Sequence, residues 1–152
     1  MNILSYCRPV IAATLLPVWT HSLAAGPLDA FRDVNRLVVV SLPQGPAAEN
    51  VAAAWCLHRV KIDERDLKII DASEGAQRVA AGVRLNPEHI IAVRQHFKLA
   101  AGEPRPVFIL VGKDGGEKAR QVGTLDLETW FALIDHMPTR RQEIQNQQKK
   151  SD

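Results

Sequence analysis

RPVFILVGKDGGEKARQVGTLDLETWFALIDHMPTRRQ, residues 105–142, is the stretch that decides the architecture. Val107 to Val111 is an uninterrupted apolar run of the length of a buried strand. Lys113-Asp114-Gly115-Gly116 then reverses the chain. Asp-Gly is a strong hairpin signal, because both central residues of a type I′ turn need positive φ. Gly116 is placed to supply a bulge beside it. Glu117 to Val122 is polar for a strand and fits a sheet edge, where charge discourages pairing with another chain. Asp126 is a helix cap, and Leu127, Trp130, Phe131 and Ile134 recur at helical spacing. Glu128 stands near the positive end of that helix, and Met137-Pro138 ends its packed part. A hairpin followed by a helix is the closing unit of an α/β domain.

Working back from this unit, Arg36 to Leu42 is apolar on successive residues, the pattern of a strand covered on both faces. Pro43-Gln44-Gly45-Pro46 breaks it. Ala47 to Ile62 is predicted as one helix, with Val51, Ala54, Trp55, His58 and Ile62 on a single face. After the polar Glu64-Arg65-Asp66 turn, Leu67 to Ile70 completes a βαβ unit whose crossover should be right-handed. Asp71 to Leu85 gives no regular pattern and reads as a loop with a helical turn. Asn86-Pro87 caps and opens a second helix, with Ile90, Val93 and Phe97 inward and an end near Lys98. Leu28 to Asn35 is a short lead-in of one or two helical turns. Thr139 to Asp152 is polar throughout and reads as a frayed extension.

Residues 1–25 are read as a targeting segment. Arg8 is followed by the apolar Val10–Leu16 and Val18-Trp19, and Ser22-Leu23-Ala24-Ala25 supplies small residues for cleavage after Ala24 or Ala25. Pro17 and His21 interrupt the run, which falls short of the roughly 20 apolar residues of a spanning helix. The expected organisation is a signal peptide at 1–25, one domain at 26–142 and a polar tail at 143–152. The expected destination is the periplasm or the extracellular medium, with no membrane segment after cleavage. Cys7 leaves with the signal, so no internal disulfide can form and the core alone must hold the fold. The formal charge of +2 falls by one with Arg8, too little to steer nucleic acid or an anionic membrane surface.

Few residues remain as chemical candidates. Cys56, in Trp55-Cys56-Leu57-His58-Arg59, echoes a thioredoxin active site with Arg59 in place of the second cysteine. A thioredoxin nucleophile opens the helix that follows the first core strand. Cys56 comes more than ten residues after Leu42, inside the helix and among alanines, so a packed core thiol is expected. The loop that should hold the nucleophile, Leu42 to Pro46, contains no Cys, Ser, His or acid. Its two prolines and glycine either turn the corner or touch a partner. His89 and His96 share a helix face without further ligands, and no metal site is expected. Lys113 to Glu117 lacks the endings of a phosphate or calcium loop. Arg140 and Arg141, with Lys149 and Lys150, form a small basic cluster that a solvated tail explains.

The chain resembles the family called domain of unknown function 4174. The likeness rests on Val111 to Lys118 and on Trp130 to Glu143. Weaker echoes are Leu28 to Arg32, Asn35 to Leu37 and Glu64 to Leu67. The resemblance implies a thioredoxin-like fold: a three-layer α/β/α domain with a four- to five-stranded mixed sheet ending in a hairpin and a helix. It implies small exported bacterial proteins, or repeated domains in matrix-associated animal proteins, largely without paired redox cysteines. It transfers no activity. Arg140-Arg141 matches the recurring end of the pattern and makes that pair a candidate binding site. The reading that follows is an exported, non-catalytic binding module of the cell envelope, without a cofactor, whose partner is an envelope protein or matrix component. The alternative is a thiol-dependent oxidoreductase or peroxidase using Cys56 alone.

Overall fold

The computed structural model describes residues 26–75 and 78–151, so the expected signal peptide lies outside the described residues. A 3₁₀ turn at Asp29–Phe31 leads into strand β1 (Arg36–Ser41). Helices α1 (Ala47–Leu57) and α2 (Arg59–Asp63), strand β2 (Leu67–Asp71) and helix α3 (Pro87–His96) follow. Strands β3 (Val107–Val111) and β4 (Glu117–Val122) precede helices α4 (Leu127–Asp135) and α5 (Pro138–Ser151). The strands form one mixed sheet in the order β2-β1-β3-β4. β1 runs parallel to β2 and antiparallel to β3, and β3 and β4 form the antiparallel hairpin.

β1 explains why both faces of the sheet are covered. Alternate side chains of a strand point to opposite faces. Val38 and Val40 join Val51, Trp55, Ile62, Phe131 and Ile134 on the face covered by α1, α2 and α4. Leu37 and Val39 join Val93 and Phe97 on the face covered by α3, with Leu28 and Phe31 of the lead-in packed alongside. Every residue from Leu37 to Val40 is buried, as the unbroken apolar run requires.

Local chemistry accounts for the element ends. Asn86 Oδ1 accepts the His89 N–H at 2.8 Å and caps α3. Asp126 Oδ1 accepts the Thr129 N–H at 3.0 Å and caps α4. The expected single helix over 47–62 is interrupted at His58, where ψ is +17°. The ladder continues through it: the His58 N–H reaches Ala54 O at 3.2 Å and the Ile62 N–H reaches His58 O at 3.0 Å. The hairpin also departs from expectation. Its turn closes from the Gly115 N–H to Gly112 O at 2.9 Å, and Gly115, with φ +81°, is the one turn residue in the left-handed region. A type I′ turn needs two such residues, so this is the longer loop ending in a left-handed glycine. The register shifts between Leu110 and Val111.

The stretch Asp71–Leu85 forms no helix among its described residues. Asp71 closes β2 opposite Val40, the Ala72 N–H reaches Val40 O at 2.8 Å, and Val83 bridges to Ile70. The polar end is helical through Ser151, which corrects the frayed extension expected from Thr139 onward.

Candidate functional site

The candidate site lies where β1 stops. Leu42 is buried, and both of its backbone groups are held by side chains of the β2–α3 connection. Its N–H donates to Ser73 Oγ at 3.0 Å, and its carbonyl accepts from Arg78 Nε at 3.2 Å. Ser73 is in turn fixed by Asp71, the last residue of β2. Asp71 Oδ1 accepts the Ser73 N–H at 2.9 Å and its hydroxyl at 2.5 Å. Asp71 Oδ2 accepts the Val79 N–H at 2.6 Å and the Arg78 N–H. Asp71 is completely buried, so these four donors stand in for the water it has lost. One carboxylate therefore organises an otherwise irregular loop. Asp71-Ala72-Ser73 at a strand end is a local side-chain-to-backbone motif; that pattern was the only trace of this arrangement in the sequence.

Two clefts flank the Pro43–Pro46 turn. The first, about 290 Å³, is mainly apolar and lies between α1 and the β4–α4 connection, lined by Val51, Ala54, Phe108 and Leu125. The second, about 470 Å³, lies between the β1 end, the β2–α3 loop and the segment after α3. Pro43, Glu74, Arg78, Arg94, Glu103 and Pro104 line it. Arg94 is anchored there by Nη1, which donates to Ser41 Oγ at 3.1 Å and Ala72 O at 2.7 Å. Its Nη2 donates to Ala100 O at 2.9 Å. Glu74 Oε2 accepts the Gly102 N–H at 3.0 Å. Arg105 Nε, 2.9 Å from Glu103 Oε1, holds that carboxyl below the ordinary glutamate range. Neither Arg78 nor Arg94 is marked by any motif in the sequence.

The sequence-selected candidates lie elsewhere and apart. Cys56 is exposed, not packed in the core, because the inward face of α1 is taken by Val51 and Trp55. It stands in the last turn of α1, the opposite end from the one that activates thiols in redox proteins, and it lines neither cleft. His89 and His96 are exposed on α3. Among the described residues no three His, Cys, Asp or Glu side chains are grouped to hold a metal ion.

Arg140 and Arg141 do not act as a pair. Arg141 is exposed and donates to the His136 carbonyl from Nε at 3.2 Å and Nη2 at 2.8 Å. Arg140 is buried, with Nη1 3.5 Å from Glu143 Oε2 and Nε 3.6 Å from Asp135 Oδ1. Both acids belong to a larger cluster at the end of the sheet opposite the clefts. The fully buried Arg36 grips Glu143 with two parallel bonds, Nη1 to Oε2 and Nη2 to Oε1, each 3.1 Å. Lys113 Nζ adds a third contact to Glu143 at 2.8 Å. Burial pushes the Glu143 carboxyl up, but the hydrogen bonds from Arg36 and Lys113 outweigh it and hold the group below its ordinary range. Arg140 is therefore a structural cation of this cluster. Glu143, placed by sequence in the polar tail, is docked against the strand end because α5 carries it there.

Comparison with known proteins agrees with this architecture. The described sheet and helices resemble the crystal structure of the reduced 2-Cys peroxiredoxin of Plasmodium vivax. The TM-score is 0.53 at 11% identity, covering 80% of this chain and 84% of that one. The fold is thus a thioredoxin-like α/β fold. The family described as Domain of unknown function (DUF4174) matches residues 27–143, and the chain belongs to that family. No curated protein matches the sequence. No helix among the described residues is long and apolar enough to cross a membrane.

Proposed function

We propose that this protein is an exported, non-catalytic thioredoxin-like domain that works by binding, its partner being another component of the cell envelope or matrix. The observation that carries this reading is the turn at the end of β1. Leu42 to Pro46 is where a thioredoxin-like nucleophile would stand, and none of its side chains can attack a disulfide or peroxide. The clefts beside it still offer concave surface of ligand-binding size. A second reading, a thiol-dependent oxidoreductase or peroxidase, is favoured by one fact: Cys56 is open to solvent.

The two separate in one assay. Purified full-length protein and its Cys56→Ser variant are compared for peroxide consumption and for reduction of a disulfide substrate. The binding reading expects no turnover that depends on Cys56. Turnover abolished by Cys56→Ser would overturn it. Export is tested by the N-terminal peptide of the protein recovered from its host. A mass beginning at Ala25 or Gly26 supports cleavage, and one retaining residues 1–24 overturns it.

A further inference from the structure

Among the described residues, most arginines are neutralised by acids. Arg36, Arg65, Arg105, Arg120 and Arg140 each have a carboxylate within ion-pair distance. The two arginines of the larger cleft do not. Among the described residues, Arg78 and Arg94 form no ion pair and are held by uncharged oxygens. Arg78 donates to the Leu42 and Glu74 carbonyls, and Arg94 to the Ser41 hydroxyl and the Ala72 and Ala100 carbonyls. Neutral dipoles fix a guanidinium without cancelling its charge. They also leave Nη1 of Arg78 and Nε of Arg94 without an acceptor among the described residues. Both side chains are partly buried and line one cavity of about 470 Å³, within the usual range of small-molecule sites.

From this geometry we infer that the cleft at the end of β1 is a binding site for a carboxylate ligand, recognised by Arg78 and Arg94. A carboxylate offers two acceptor oxygens, one for Arg78 Nη1 and one for Arg94 Nε. Glu74 and Glu103 line the same cleft, so a dianion such as phosphate meets more repulsion there than a single carboxylate. The clasp of Asp71 and Ser73 serves this site as positioning machinery. Asp71 accepts the backbone N–H of Arg78, and Ser73 fixes Leu42, whose carbonyl aims the Arg78 side chain. The carboxylate comes from one of two sources, a free small acid or the C-terminus of a peptide. The inference rests on the reading of the chain as a binding domain.

The test is a titration of the full-length ¹⁵N-labelled protein with propionate, with N-acetyl-Ala-Ala, with the C-terminal amide of that peptide, and with inorganic phosphate. Saturable shifts confined to the amides of Ala72–Gly75, Arg78-Val79 and Ala100–Gly102 are expected with one or both acids. Stronger binding of propionate points to a free acid, and stronger binding of N-acetyl-Ala-Ala to a peptide terminus. Equal binding of the amide, binding of phosphate alone, or no saturable shift overturns the inference. Arg78→Gln should weaken the acid at least about tenfold with the remaining spectrum unchanged. An unchanged affinity overturns it as well. Arg94 ties three segments together and its variant is at risk of unfolding, so Arg78→Gln decides. Failure of this titration leaves the Cys56 assay untouched, and Cys56-dependent turnover would remove the binding reading whatever the titration gave.

Discussion

Removing the Arg141 side chain takes away two surface hydrogen bonds to the His136 carbonyl. Arg141→Ala is expected to change stability by about 0.5 kcal/mol or less. Arg140→Ala removes a buried cation and leaves Asp135 and Glu143 with one partner fewer, an expected loss of about 1–3 kcal/mol. Urea unfolding of the two variants side by side checks the contrast, and equal losses would contradict the assigned burial. Asp71 is the more demanding case. Asp71→Asn turns one acceptor oxygen into a donor facing N–H or O–H donors, and about 1.5–3 kcal/mol should be lost. Faster hydrogen exchange at the Val79 amide is expected to accompany it. The burial of Arg140 and Asp71 is not legible in the sequence, because a charged side chain looks solvated until its partners in the fold are known.

At the scale of the element, α4 was the most legible part of the chain. Its apolar residues fall at one helical face, and Leu127, Trp130, Phe131 and Ile134 are all buried. Trp130 packs in the main core cluster and is almost wholly buried. Trp130→Ala should therefore cost about 3–5 kcal/mol, read as a shifted denaturation midpoint. A loss below about 1 kcal/mol would show that α4 does not anchor the sheet. α5 was illegible for the opposite reason. Its sequence has almost no apolar residues, so no periodicity marks it, and the cluster around Glu143 ties it to the sheet. The hairpin was legible as a hairpin but not by type, since Asp-Gly names a turn without saying how many residues enter the left-handed region.

At the scale of the molecule, the two ends of the sheet are built differently. One end carries the two clefts beside the end of β1, and at the other, ions from β1, the hairpin turn and α5 meet. Glu143 is held there with a carboxyl below its ordinary range. A depressed acid contributes stability that is fully present above its unfolded value, near 4.5, and is lost as pH falls through its lower folded value. Acid unfolding should therefore steepen below about pH 4.5, and Glu143→Gln should flatten that limb while lowering stability at neutral pH. Truncation after Gln142 should do more. It leaves Arg36 fully buried with its charge unpaired, an expected loss of about 3–5 kcal/mol by thermal or urea denaturation. A truncated chain as stable as the full one would show that the domain ends before Glu143.

The strands, the apolar helix faces, the closing hairpin and helix, and the family are legible in the linear chain. These rest on periodicity and turn chemistry, which are local and survive in a linear string. Only the tertiary structure decided which charges are buried, that Cys56 faces outward, and that Arg78 and Arg94 meet in one cleft. Those outcomes depend on which distant residues supply or withhold a partner, and a folded chain alone sets that.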